Sequence, residues 1–196
     1  MKPLLRWLGL VLAAALALQV YFVGRIGLMA VMDPQSTAFE RSEAWRIASE
    51  KGKLPWRQHW VAYAQISDHL KRAVIASEDD GFASHDGVDW DAIEKAWQKN
   101  EKAQARVQNQ TAKRPASGAA KAAAAPKAPK VVGGSTITQQ LAKNLFLSGE
   151  RTLLRKGQEF VLTFMLEALL DKERILEIYL DSVEWGEGVF GAEAAA

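Results

Sequence analysis

The sequence predicts a mainly α-helical protein with an N-terminal transmembrane helix. Three observations carry that expectation. An almost unbroken apolar run lies near the N-terminus, later segments repeat apolar residues at three- and four-residue spacing behind cap residues, and no strand-like run exceeds a few residues. The chain has 196 residues, of which 48% are hydrophobic, which suits one ordinary domain plus an appendage. It contains no cysteine, so disulfides, thiolate metal sites and a cysteine nucleophile are excluded.

Met1–Arg6 forms a short basic head, and Trp7–Gly24 is apolar apart from Gln19. A run of about 18 such residues is near the lower limit for a bilayer span. Lys2 and Arg6 favour a cytoplasmic N-terminus, Tyr21 and Phe22 sit where interfacial aromatics belong, and Arg25 can snorkel to the far surface. A cleaved signal peptide is the alternative, because Ala13–Ala17 offers small residues to a peptidase. The apolar pattern continues to Met32, which favours a retained anchor over residues 1–32. On either reading the remainder is exported.

Residues 33–60 read as a juxtamembrane segment, with a helix over Ser42–Lys51 that Pro55 ends. A helix starting at Ser67 or Asp68 turns Leu70, Val74 and Ile75 inward and is broken by Gly81. Asp89 caps another that carries Ile93, Ala96 and Trp97. Residues 98–130 then lose nearly all large apolar side chains. They hold eight basic residues against Glu101, a local +7 in a chain of net +2, which leaves the remainder at −5. Such a segment cannot bury enough surface to offset its chain entropy. Its start reads as a frayed helix extension and Pro115–Lys130 as disordered. Past the Gly133-Gly134 turn, a helix begins with Ser135 as N-cap. A long helix spans Thr152–Leu170, Asp171 caps one running to Ser182, and Trp185–Gly191 is a turn-rich loop. The sequence reaches Ala196 within what reads as a further helix.

Three constellations carry chemistry. In the first, Glu78-Asp79-Asp80 crowds carboxylates at a helix C-terminus, where the helix dipole disfavours them. Crowded carboxylates raise one another's pKa, which suits general acid–base work, and Phe82 is expected to shield Glu78 from water. His85 reads as a hydrogen-bonder holding the loop through a carboxylate or backbone group. The second is the helix after Gly134, whose Thr136, Gln140 and Lys143 stack at i, i+4 and i+7 beside an apolar face of Ile137, Leu141 and Leu145. That face suits a polar, anionic, sugar-like ligand, while an ordinary capped amphipathic helix accounts for it equally well. In the third, Arg155 and Glu159 are i, i+4 neighbours: a surface salt bridge, or a phosphate-binding cation paired with a second carboxylate. No His or acid cluster has convincing metal-ligand spacing.

Taken in order, Glu78-Asp79-x-x-Phe82-x-x-His85-x-Gly87, then Gly134-Ser135-Thr136-Ile137-Thr138-Gln139-Gln140-x-x-Lys143-Asn144, then Arg155-Lys156-x-x-Glu159, then Lys172-x-x-Ile175-Leu176-Glu177-x-Tyr179-Leu180 resembles the peptidoglycan glycosyltransferases of family 51. The resemblance covers Val61–Ala196 except the basic segment. It implies a lysozyme-like, mainly helical domain over residues 61–196 with a membrane-embedded lobe, and 98–130 as an insertion. It implies polymerisation of lipid II on the outer face of the cytoplasmic (inner) membrane, with a single-pass anchor.

Carried over to this sequence, the resemblance makes Glu78 the base that deprotonates the acceptor 4-hydroxyl, with Asp79 as its accompanying acid. Lys143, Arg155 and Lys156 become cations on the leaving diphosphate, and Glu159 the second catalytic-site Glu, which positions groups near that diphosphate. Ser135, Thr136, Gln139, Gln140 and Asn144 become donor-site groups, with Phe82 and His85 supporting the loop. The anomeric centre inverts and undecaprenyl diphosphate leaves. No cofactor is required, although a divalent cation, Mg or Mn, can assist at the diphosphate. Implied partners are lipid II, the growing glycan strand, the membrane and cell-division or cell-wall synthesis proteins, with no nucleic acid.

Three features depart from the family pattern. Asp181 stands where Asn is usual, the basic segment lengthens a flap anchored at the glycine turn, and the chain spans less of the C-terminal core than family domains do. The long basic segment is either an inert solvated insertion or an attractor for anionic lipid and lipid II phosphates. A lysozyme-type hydrolase would also use two carboxylates, yet it has no diphosphate for Lys143, Arg155 and Lys156 to neutralise. A non-catalytic membrane-anchored lipid II or glycan binder is the other rival.

Overall fold

The computed structural model describes residues 2–112, 133–150 and 152–196. The Pro115–Lys130 stretch expected to be disordered lies outside the described residues. The chain divides into one compact unit of Met1–Val88 with Thr136–Ala196, and a second of Asp89–Ser135.

The first unit begins with α1 (Lys2–Met29), 28 residues long, or about 42 Å at the usual rise per residue. That length and its composition suffice to cross a membrane. Its apolar residues from Leu4 to Tyr21 are largely exposed, as a lipid-facing surface requires. Its last turns are not. Phe22, Ile26 and Met29 are buried in the core, with Phe22 edge-on to Phe146 at 5.3 Å. Phe22 therefore docks the end of α1 on the core. Gln19 exchanges hydrogen bonds with Gln158 at 3.2 Å, and Arg174 Nε donates to Met29 O at 2.7 Å.

Helix α2 (Ala38–Lys51) opens with a capping box between Thr37 and Glu40 and closes on Gly52 in the left-handed region. Gly52, not Pro55, ends it, because a left-handed glycine satisfies the last carbonyls three residues earlier. Helix α3 (Asp68–Glu78) stops one residue before Asp79, earlier than the Gly81 break expected from sequence. Helix α5 (Ile137–Phe146) is capped by Thr136 rather than Ser135. Both residue types can cap, but only Thr136 has a Gln three positions on to close the reciprocal box with Gln139. Helices α6 (Leu153–Leu169) and α7 (Lys172–Ser182) start at Thr152 and Asp171, as expected from sequence.

The core is built from the inward faces of α5, α6 and α7, including Ile137, Leu141, Leu145, Leu162, Leu166, Ile175, Leu176 and Leu180. The Trp185–Gly191 stretch is a small hairpin rather than a loop. Strand β2 (Glu184–Gly186) pairs antiparallel with β3 (Val189–Phe190), which also takes β1 (Arg57–Gln58) in parallel. Gly188 makes the turn at φ +73°, and a Cβ there would lie 2.2 Å from Pro55 O, so only glycine fits. Phe190 is fully buried and stacks on Trp56 at 4.5 Å. The short α8 (Ala192–Ala195) follows.

In the second unit, α4 (Trp90–Ala112) is capped by Asp89 Oδ1, which accepts from Ala92 N at 2.8 Å. The helix continues regularly into the basic segment as far as Ala112, beyond the frayed start expected there.

Candidate active site

Glu78 is the last residue of α3 and is exposed. Gln140 Nε2 donates to Glu78 Oε2 at 3.0 Å, and Tyr179 OH donates to Gln140 Oε1 at 3.2 Å. The Tyr179 hydroxyl has only one proton to give, so this relay fixes which end of the Gln140 amide faces the carboxylate. Burial, and then the negative charge of Glu78, push the Tyr179 pKa up to about 12, so Tyr179 stays a donor at neutral pH. The relay holds Glu78 Oε2 and leaves Oε1 outside it. A cavity of about 220 Å3 opens beside it, lined by Val74, Ser77, Glu78, Tyr179, Val183, Glu184 and Trp185.

The neighbouring acid does different work. Asp79 is buried. Its Oδ2 accepts from the Ile137 backbone N–H at 3.0 Å, and its Oδ1 lies 2.9 Å from His85 Nε2. His85 Nδ1 in turn accepts from Gly87 N at 3.1 Å, so the ring proton sits on Nε2 and points at Asp79. His85 thus holds the loop through a carboxylate and a backbone group. Gly87 O accepts from Thr136 Oγ1 at 2.6 Å. Gly87 has φ +84°, and a Cβ there would meet Thr163 Cγ2 at 2.7 Å and Glu167 Cγ at 2.8 Å. Asp79 therefore joins the first motif to an orphan N–H in the first turn of α5, and Glu78 is positioned as a consequence.

Several sequence expectations change here. Phe82 is buried in the core while Glu78 is exposed, so Phe82 does not shield it. Thr136 and Gln139 are buried and share the capping box, with Thr136 Oγ1 also bonded to Gly87 O, while Gln139 Nε2 has no hydrogen-bond partner. Of the polar row on α5, Gln140 is half-buried and Lys143 exposed, with Asn144 half-buried. Ser135 is exposed and belongs to the second unit.

Arg155, Lys156 and Glu159 form their own cluster at the start of α6. Arg155 Nη1 pairs with Glu159 Oε2 at 2.9 Å, and Lys156 Nζ pairs with Glu159 Oε1. Glu159 is only 3% exposed, so this is no surface salt bridge. Glu159 holds Arg155 and Lys156 together at the start of α6.

Glu167 was not legible in the sequence, and Lys172 was legible only as the first residue of the fourth motif; both support the site. Lys172 Nζ donates to His85 O at 2.7 Å and pairs with Glu167 Oε1 at 2.8 Å, while lying 4.6 Å from the centre of the Phe82 ring. Thr138 Oγ1 donates to the same Glu167 oxygen at 2.6 Å. Asp181, the departure noted above, is fully buried, and neither of its oxygens has a hydrogen-bond partner. Burial raises its pKa from 3.8 to about 7, an effect that nearby backbone at Val61 offsets only in part. Among the described residues, no three acids or histidines converge on a common point. Asp79, the acid beside Glu78, has both oxygens engaged.

A helical site that sets an exposed carboxylate beside a sugar-sized cavity, in a chain that also carries a cation pair at the start of α6, has the character of a glycosyl-transfer site. The chain belongs to the transglycosylase family, whose pattern it matches over residues 47–113 and 113–196. It is 52% identical over 195 residues to the biosynthetic peptidoglycan transglycosylase of Burkholderia thailandensis, covering 97% of this chain and 67% of that protein. Proteins of the same name from Paraburkholderia phytofirmans and Herminiimonas arsenicoxydans are 49% and 48% identical. They cover 97% and 100% of this chain, which spans 71% and 75% of their lengths.

Proposed function

We propose that this peptidoglycan glycosyltransferase polymerises lipid II into β-1,4-linked glycan, with Glu78 as the general base. One observation carries the reading: the Glu78 carboxylate is exposed at the cavity and oriented by Gln140 and Tyr179. In the reaction, Glu78 takes the proton of the acceptor N-acetylglucosamine 4-hydroxyl. The oxygen attacks C1 of the donor N-acetylmuramic acid from the face opposite the diphosphate. The C1–O bond breaks, its electrons leave with undecaprenyl diphosphate, and the configuration inverts from α to β. A positioned base of this kind contributes about 10²- to 10⁴-fold. Arg155, Lys156 and Lys143 stabilise the growing charge on the diphosphate, an effect strongest where water is excluded.

The N-terminal helix keeps the enzyme at the membrane that holds its lipid-linked substrate, with the catalytic unit on the outer side. The Arg174 bridge to Met29 O and Asp33 keeps the anchor's end against α7, the helix that carries Tyr179. Residues 98–130 are read as an insertion into the domain. Incubating the detergent-solubilised chain with lipid II tests the reading. It predicts high-mass glycan that a muramidase digests, with release of undecaprenyl diphosphate. Soluble fragments released from finished peptidoglycan, with no polymer from lipid II, would instead establish a hydrolase.

A further inference from the structure

The β2–β3 hairpin holds a feature that the reaction above does not use. Glu184 pairs with Phe190 and Gly186 with Val189, so β2 contains one residue more than β3 across the same interval. The extra residue is Trp185. A bulge of this kind re-aims the side chain at the irregularity, and bulges occur often beside active sites. Phe190, on the paired strand, is fully buried against Trp56, whereas Trp185 is 41% exposed. Trp185 lines the same cavity as Glu78. Leaving a large aromatic ring half in water forgoes much of what burial would contribute to stability.

The chemistry of the lining narrows the ligand. Glu78, Glu184, Ser77 and Tyr179 supply oxygens, and among the described residues no lysine or arginine lines the cavity. Glu184 Oε1 accepts from Gly188 N at 3.3 Å, which orients its carboxylate from the hairpin turn. An anionic group would be repelled, and a purely apolar one would strand the carboxylates. A neutral polyhydroxylated ring satisfies both, with its hydroxyls to the acids and its flat C–H face to the indole. At about 220 Å3 the cavity lies below the roughly 300–1,000 Å3 of drug-sized sites, which is room for one sugar ring rather than several.

We propose that Trp185 is the stacking platform for the acceptor sugar, which it holds with its 4-hydroxyl toward Glu78, while Glu184 fixes the ring's rotation. This rests on the proposed function for the identity of the acceptor. Because it places Trp185 in contact with substrate but away from the proton transfer, it predicts an effect on binding more than on turnover.

The test compares the full chain with Trp185→Ala and Trp185→Phe in lipid II polymerisation, with thermal unfolding to confirm that each is folded. Trp185→Ala is expected to raise KM by about tenfold or more with kcat changed by less than about threefold, and Trp185→Phe to recover most of the loss. A second readout, saturation-transfer NMR with N,N′-diacetylchitobiose as probe, is expected to show contact with the parent and its loss in Trp185→Ala. An unchanged KM in a folded Trp185→Ala, or a Trp185→Phe as impaired as the alanine variant, overturns the proposal. If the parent makes no polymer yet the probe contact depends on Trp185, the sugar subsite stands and the transferase reading falls. Equal probe signals for parent and Trp185→Ala overturn the subsite itself.

Discussion

Replacing Asp181 by Asn should make the protein more stable, increasingly so as pH rises. Asp181 is fully buried at the end of α7 without a hydrogen-bond partner for either oxygen, and its pKa is pushed from 3.8 to about 7. At pH values below the ordinary carboxylate range the group is protonated in both folded and unfolded chains and has no linkage cost. As pH rises from about 4 to about 7, the unfolded chain releases a proton that the folded chain keeps, so folding stability falls. Above about 7 the loss is complete. Roughly three pKa units at 1.36 kcal/mol each give about 4 kcal/mol across that window. An amide of the same shape does not titrate, so Asp181→Asn should escape the loss. Thermal unfolding in detergent, followed by circular dichroism at about pH 4.5 and about pH 8.5, measures it. The variant's advantage should be small at the lower pH and reach roughly 10 °C at the higher, taking 2–4 °C per kcal/mol for a chain of this size. Equal pH slopes for parent and variant, or a variant less stable at the higher pH, would refute the reasoning.

Other perturbations separate positioning from contact. Gln139→Ala should lower stability by about 1 kcal/mol through loss of the capping box and leave the KM for lipid II unchanged, as thermal unfolding and steady-state rates will show. Glu159→Gln should destabilise by about 3 kcal/mol, because it leaves Arg155 and Lys156 without their buried partner, and should lower kcat. Gly87→Ala should cost at least about 2 kcal/mol, since it adds strain at positive φ to contacts under 3.0 Å; failure to express folded protein at reduced temperature would agree, and an unshifted melting point would not. Tyr179→Phe should slow polymerisation several-fold with little change in melting temperature, since it frees the Gln140 amide that aims Glu78.

The helices were legible in the sequence because their start signals are local. Asp89, Thr152 and Asp171 each accept a backbone N–H three residues on, a bond that depends on no distant contact. Where local signals competed, the choice went wrong: Ser135 over Thr136, and Pro55 over Gly52. The motifs identified the neighbourhood of the site but not the division of labour within it. Asp79 reads as a second acid beside Glu78, yet its partner at Ile137 is 58 residues away and exists only because the end of α3 meets the first turn of α5. Thr136 reads as part of an exposed polar row with Gln140 and Lys143, yet it is buried, because helical periodicity does not reveal which face turns inward. Trp185 was legible only as part of a loop. Its exposure comes from the register of β2 on β3, which no period within a strand this short encodes.

The central claim is that Glu78 removes the acceptor proton. Its most direct test is Glu78→Gln, an isosteric change at an exposed side chain that should leave the fold and lipid II binding intact. The account predicts that polymer formation falls by about 10²- to 10⁴-fold while lipid II affinity in detergent stays within about threefold of the parent. A folded Glu78→Gln variant that polymerises lipid II at close to the parental rate would contradict it.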